Sequence, residues 1–312
     1  MAVPGGTPTG TSAISNLVQT AYDQYVRMAL RSIPVMRSLA DVKPVQQAMP
    51  GSSVVFSIYS DLAQATSTLT ETTDVSSIAL GNPNQVTVTL NEYGSAVTTT
   101  KKLNLTSFND VDSALADIIA YNAADSIDSV VASVLTGGSN VIYAGSTATS
   151  TNTITAAATI STADIREAVT QLRTNKALPR IGELYAAYLH PRQSADLRAE
   201  SGTGGFQELT KYVERTPFTA GAVGVLEGAF IVETPRVPFA ANTNSPAVNV
   251  YKAVVAGREA LAEAMGQNIS TVIGPEIDAL RRFRTIGWYY MGGFARLREA
   301  ALYRIESATS IN

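Results

Sequence analysis

The 312-residue sequence contains no cysteine and a single histidine, His190. That excludes disulfide staples, zinc–thiolate sites, iron–sulfur clusters, cysteine nucleophiles and any histidine-rich metal centre. Charge is also scarce. Asp, Glu, Lys and Arg make up 16% of the chain, against about 25% in an ordinary soluble protein. The balance of 23 basic and 26 acidic residues leaves a net −3, which is no polybasic signature for nucleic acid. No unbroken apolar run reaches the roughly 18 residues of a membrane span. The first residues have neither the basic nor the apolar region of a secretory signal. With 45% hydrophobic residues there is enough apolar material for a packed core. The expectation is a soluble protein of a reducing compartment, of about two domains, with much of its weakly charged surface covered by other subunits.

Motifs for chemistry are missing too. There is no G-x-x-x-x-G-K-[ST], no G-x-G-x-x-G and no G-x-S-x-G. His190 precedes Pro191 at a strand end with no nucleophile or orienting acid apparent. Asp110 and Asp112 lack the remaining positions of a calcium loop and suit a helix N-terminus. Asn104-Leu105-Thr106 and Asn268-Ile269-Ser270 fit the glycosylation pattern but carry no meaning without secretion. No enzyme activity and no cofactor are expected.

After a Gly/Pro/Thr/Ser tail, Ile14, Leu17, Val18, Ala21, Tyr22, Tyr25 and Met28 recur at helical spacing up to Pro34. This helix either packs on its own domain or reaches under a neighbour. From residue 52 the period becomes two, through Val54, Phe56 and Ile58. After a polar stretch and Asn82-Pro83-Asn84 it resumes at Val86, Val88 and Leu90. A third run, 96–103, continues the β pattern. An isolated hairpin is marginal in water, so this excursion must lie on its own domain or on another chain. Residues 107–136 read as a long helix with a stripe of Val111, Leu115, Ile118, Ile119, Ile127, Val131 and Leu135, acids on one side, and Gly137-Gly138 as its stop.

Beyond it, strands are expected at 141–143 and 153–160, a helix at 163–174, a strand at 184–189 and a short helix at 193–199. A further helix falls at 206–212, strands at 229–232 and 248–256, and a short helix at 259–265. Two long closing strands over 279–307 turn at Met291-Gly292-Gly293. Arg281, Arg282 and Arg284 form the one basic cluster, with Arg296, Arg298 and Arg304 on the expected partner strand. The acidic helix at 110–128 is their expected ion-pair partner, with phosphate contact as the other reading.

The order of these elements resembles the major capsid protein of tailed bacteriophages, the Hong Kong 97-type fold. The likeness runs from the arm and β-excursion through the long helix to Tyr185–Leu189 with His190-Pro191, the strand 228–235, and the closing strands from Asp278 to Ile305. The run Tyr93-Gly94-Ser95-Ala96-Val97 to Leu103 is similar to the coliphage N-four-like subgroup. The resemblance implies an α+β fold. It implies an N-terminal arm (1–47), an extended hairpin loop or E-loop (48–106), a P domain with a spine helix (107–160), an A domain (161–278) and closing strands returning to the P domain (279–312). It implies a structural protein that forms pentamers and hexamers of an icosahedral shell around double-stranded DNA, in the virion, assembled in the host cytoplasm.

Implied partners are copies of the chain, a portal at one vertex and packaged DNA by non-specific contact. No membrane is implied, and a decoration protein is left open. No charged helical pro-segment precedes Ala13, so a separate scaffolding protein is expected. Candidate subunit-interface residues are Tyr22, Tyr25, Arg27, Arg31, Phe56, Ile58, Val86, Val88, Lys101, Lys102, Asp117, Asp125, Arg281, Arg282 and Arg284. The alternatives are an encapsulin-type compartment shell of the same fold, a secreted surface-layer protein, for which no signal is visible, and an enzyme, for which no residues are visible.

Overall fold

A computed structural model describes residues 35–44, 53–59, 62–72, 74–75, 77–106, 111–145, 148–201, 224–243, 247–276 and 278–311. The expected helices at 13–33 and 206–212 lie outside these residues. In chain order the elements are β1 (Ala40–Pro44), β2 (Ser53–Ile58), β3 (Asn84–Thr89), β4 (Asn91–Thr100), α1 (Lys101–Thr106) and α2 (Val111–Thr136). There follow β5 (Val141–Tyr143), α3 (Thr162–Thr174), β6 (Tyr185–Leu189), α4 (Pro191–Ala199), β7 (Val225–Leu226), β8 (Ala229–Glu233) and β9 (Phe239–Ala241). The chain closes with β10 (Asn249–Ala256), β11 (Leu261–Ile273), β12 (Phe283–Arg296) and β13 (Leu302–Ser307).

Two sheets form the body. One has the order β1-β11-β12-β4. The other runs β5-β13-β10-β6-β8-β7, with β9 also paired to β10. The hairpin β2–β3 stands as a separate two-stranded ribbon. Helix α2, 26 residues and about 39 Å long, joins the two sheets. Its first half lays Ile119, Ala123 and Ile127 on Ile286, Trp288 and Tyr290 of β12. The Trp288 indole N–H donates to Asn122 Oδ1 at 2.9 Å. Its second half puts Val131, Ala132 and Leu135 into a second core with Met36, Leu39, Tyr188, Val254 and Leu302. Residues 117–136 are long and apolar enough by composition to cross a membrane. In this fold that apolar stripe is the seam between the two sheets.

The larger sheet is covered on both faces, which explains why its strands read as unbroken apolar runs. In β6, Tyr185, Ala187 and Leu189 face α3, while Ala186 and Tyr188 face α2. In β10, Ala253 and Val255 face α3, while Val254 and Ala256 face α2. Helix α3 supplies Ile165, Ala168, Val169 and Leu172, the spacing of one helical face. Ser161 and Asp164 cap its start reciprocally.

Several expectations are corrected. The stretch expected as a helix at 259–265 opens the long strand β11. Its side chains are almost all buried in the sheet, so tertiary contacts override the helix preference of Ala, Glu and Met. Met291-Gly292-Gly293 is no turn: β12 runs straight through it, paired with β11 on one side and β4 on the other. The glycines are there because chain crosses closely. A Cβ on Gly293 would strike the Thr89 carbonyl, and one on Gly292 would meet Tyr290 and the Ala264 carbonyl.

The 279–307 strands therefore part company. Strand β12 joins the sheet under α2, and β13 joins the larger sheet beside β10. Residues 274–282 connect β11 to β12. Residues 153–160 form no strand: they hold the end of a 3₁₀ turn, a turn of chain at 156–157 and one isolated bridge from Thr159 to Ala308. Thr153 Oγ1 accepts from the backbone N–H groups of Thr149 (2.9 Å) and Ser150 (3.0 Å), local bonding that competes with a ladder. The β pattern of 96–103 stops at Thr100, where α1 begins.

His190 caps α4: its Nδ1 accepts the Arg192 backbone N–H at 3.2 Å, and its ring lies 4.7 Å from that of Tyr251. Burial, and then the Arg192 cation, lower its pKa below the ordinary 6.5. The folded state therefore favours neutral imidazole. This contribution is complete above pH 6.5 and declines as pH falls below it. His190→Asn keeps a cap without the titration. Between pH 7 and pH 5 the native chain is expected to lose stability relative to this variant, by up to the ~1 kcal/mol of a cap. Melting curves across that range test this, and identical pH slopes contradict it.

Candidate assembly surfaces

The ribbon β2–β3 pairs Ser53 with Thr89 through to Ile58 with Asn84. Two contacts hold its base. The Lys43 ammonium donates to the Val55 carbonyl at 3.3 Å and lies 5.2 Å from the centre of the Phe56 ring. Val88 is buried against the backbone of Gly293. Between Ile58 and Asn84 lies the excursion. Every described residue from 62 to 82 is exposed, and none belongs to a helix or strand. Leu69 and Ile78 are 78% and 69% exposed, beside Leu62, Val75 and Leu80. A cleft of about 380 Å³ lies at the root of this excursion, between Ile58, Tyr59, Asn84 and Val86 and the segment Leu297, Arg298, Glu299 and Ala300.

Of the residues expected at subunit contacts, Tyr22, Tyr25, Arg27 and Arg31 lie outside the described residues. Phe56, Ile58 and Val86 are half-buried along the ribbon, whereas Val88 turns inward and is used by its own chain. Lys101, Lys102, Arg281 and Arg282 are exposed, Arg284 is half-buried, and β4–β12 pairing gathers all five at one end of the sheet. The Lys101 backbone N–H donates to the Arg282 carbonyl at 2.8 Å.

Among the described residues, the ion pairs of Arg282, Arg296, Arg298 and Arg304 are with acids outside the helix. Arg282 binds Asp278, four residues away, at 2.5 Å. Arg296, Arg298 and Arg304 bind Glu299 (2.9 Å), Glu259 (3.0 Å) and Glu306 (2.8 Å). Asp117 stays exposed. Asp125 pairs with Arg236, whose Nε also lies 4.0 Å from Asp128. Asp128 sits where the 3₁₀ turn at Met36–Leu39 meets α2 and accepts the Arg37 backbone N–H at 3.0 Å. Burial raises the Asp128 pKa against those backbone bonds.

One buried charge pair was not legible in the sequence. Glu263 of β11 is fully buried and receives two hydrogen bonds from the Arg37 guanidinium (2.5 and 3.1 Å) and one from the Tyr290 hydroxyl (2.9 Å). The hydrogen bond to Glu263 raises the Arg37 pKa. Burial, and then the Glu263 carboxylate, raise that of Tyr290. This pair ties the segment leading into β1 to the sheet, and leaving either partner alone would be costly. Among the described residues no three His, Asp or Glu side chains converge as metal ligands.

The family described as "Phage capsid protein" matches residues 12–311. No curated protein matches the sequence. Among solved structures, the chain is similar to the capsid of the cyanophage P-SCSP1u, at 19% identity and a TM-score of 0.74, covering 99% of this chain and 97% of that one. It is similar to the capsid of Ralstonia phage GP4, at 14% identity and a TM-score of 0.71, covering 98% of each chain. It is also similar to the head structure of Helicobacter pylori bacteriophage KHP40, at 14% identity and a TM-score of 0.72, covering 100% of each.

Gly293→Ala tests the seating of the ribbon. The added methyl cannot fit between β12 and the Thr89 carbonyl, so β3 must lift. Overpacking of this kind costs about 1–3 kcal/mol. Limited proteolysis should cut within 53–89 faster than in the native chain while the α2 core stays protected. Unchanged cleavage there would show that the ribbon is not held by this approach.

Proposed function

The chain belongs to the phage capsid protein family, with the Hong Kong 97-type fold, and from that premise we propose how it builds a shell. It is a structural protein and not an enzyme. The encapsulin-type reading is not favoured, because the family that matches is of phage capsids. Copies associate as pentamers and hexamers of an icosahedral shell around double-stranded DNA. Residues 1–47 act as the arm and 48–106 as the extended loop with its root strands. The sheet under α2, including 261–296, serves as the P domain, and the α3–α4 sheet as the A domain. A separate scaffolding protein guides assembly in the host cytoplasm, a portal occupies one vertex, and DNA is held without sequence readout. Placement in the N-four-like subgroup rests on the run 93–103.

The observation that carries this reading is the excursion from 62 to 82, whose exposed leucine, valine and isoleucine side chains have no cover within the described chain. Apolar surface of this kind marks a contact site. A standard interface buries about 1,600 Å², and a subunit with several such contacts makes a rigid shell even when each is moderate. Deleting residues 60–85 is expected to leave the circular dichroism of the body intact and to abolish particles in negative-stain microscopy. Intact particles from the deletion would overturn this placement of the assembly element.

A further inference from the structure

Strand β4 closes one side of the smaller sheet, and among the described residues no strand pairs with its outer edge. It is ten residues long, its register against β12 runs without a shift, and Gly94 to Thr98 are all exposed. From Tyr93 to Thr100 it holds no charge and no proline. Sheet edges are ordinarily blunted by charge, proline or bulges, and a long, regular, uncharged edge is a template for another strand. The opposite side of the sheet is different. There β11 leaves its pairing with β1 after Met265, and two register shifts break it between Met265 and Ser270. That edge is blunted and the β4 edge is not.

Which groups the edge offers follows from its ladder. The Lys101 backbone N–H donates to the Arg282 carbonyl at 2.8 Å, and hydrogen-bonded pairs alternate along an antiparallel ladder. Thr99, Val97, Ser95 and Tyr93 therefore bond to β12, and the N–H and C=O groups of Gly94, Ala96 and Thr98 point outward. The flanks give the pairing a direction. Glu92 stands near the start of the strand and Lys101 directly after its end, both exposed. If the edge pairs antiparallel with itself, Glu92 of each copy comes beside Lys101 of the other. If it pairs parallel, like charges meet, which is destabilising.

We propose that the outer edge of β4 pairs antiparallel with the same edge of a second copy, about a two-fold axis at Ala96, so that the two smaller sheets become one continuous sheet. Gly94 then lies opposite Thr98 of the other copy, and Glu92 one position from its Lys101. The contact is isologous, one patch meeting itself. This rests on the shell-forming reading and deepens it. A two-fold contact joins copies in pairs and not in rings, so it connects one pentamer or hexamer to the next.

The chain has no cysteine, so a single introduced thiol tests the contact directly. Across a hydrogen-bonded antiparallel pair the Cα atoms lie about 5.5 Å apart, within disulfide reach. In particles of Ala96→Cys, mild oxidation is expected to link most subunits into dimers. Thr271→Cys, exposed on the opposite edge of the same sheet, should stay unlinked. No linkage at position 96, or equal linkage at both positions, overturns the proposal. Assembly yield gives a second reading. Ala96→Lys sets two cations face to face at the axis and should cut particle yield about ten-fold or more, whereas Ala96→Ser should stay within about two-fold of the native chain. Thermal midpoints of the unassembled variants check that the body stays folded. Native yield from Ala96→Lys overturns the proposal. Particles in which position 96 is unlinked sink this contact and leave the shell-forming reading standing. Failure of the unaltered chain to form particles sinks that reading, and the contact with it.

Discussion

Backbone amides and apolar side chains that leave a fold unmatched have to be matched from outside, and this constraint governs the molecule. Between Leu62 and Asn82 the described chain is outside any helix or sheet and exposed at every described position. Burying one leucine or isoleucine is worth about 1.5–3 kcal/mol, so five such side chains in water represent a large unrealised stabilisation. A chain that was complete as a monomer would not carry it. The low charged fraction fits the same constraint, since surface destined for contact has less need of solvating charge.

What allows such an excursion is a body that is finished without it. Helix α2 closes both sheets at once, sending Ile119, Ala123 and Ile127 to one and Val131, Ala132 and Leu135 to the other. Strands β6 and β10 are buried on both faces. The Glu263–Arg37–Tyr290 group locks the segment before β1 onto the smaller sheet. Among the described residues the ribbon is fastened by Lys43 and by the close passage of β3 over Gly293. Rigid body and projecting ribbon are thus held by separate sets of contacts.

Much of this was legible in the residues. The 165/168/169/172 stripe marks α3, and the stripe on 111–135 marks α2 with its correct end at Thr136. The ribbon follows from the period-two alternation at 54–58 and again from 86. What failed did so for physical reasons. Strand β11 begins Leu-Ala-Glu-Ala-Met, residues that favour helix, and only burial in the sheet makes them strand. Gly292-Gly293 has the composition of a turn but serves a close approach within a strand. The basic end joins residues about 180 positions apart in sequence, and no local pattern reports that register. Arg236 and Glu263 carry no local signal at all, because their partners arrive from distant elements.

The central claim is that residues 62–82 gain their structure from other copies. Amide hydrogen exchange of this segment, compared between unassembled chain and purified particles, tests it most directly. The account predicts exchange close to that of an unstructured peptide in the free chain and slowing by several orders of magnitude in particles, with the β12 and α2 amides protected in both. Equal protection of 62–82 in the two states, whether fast or slow, would contradict it.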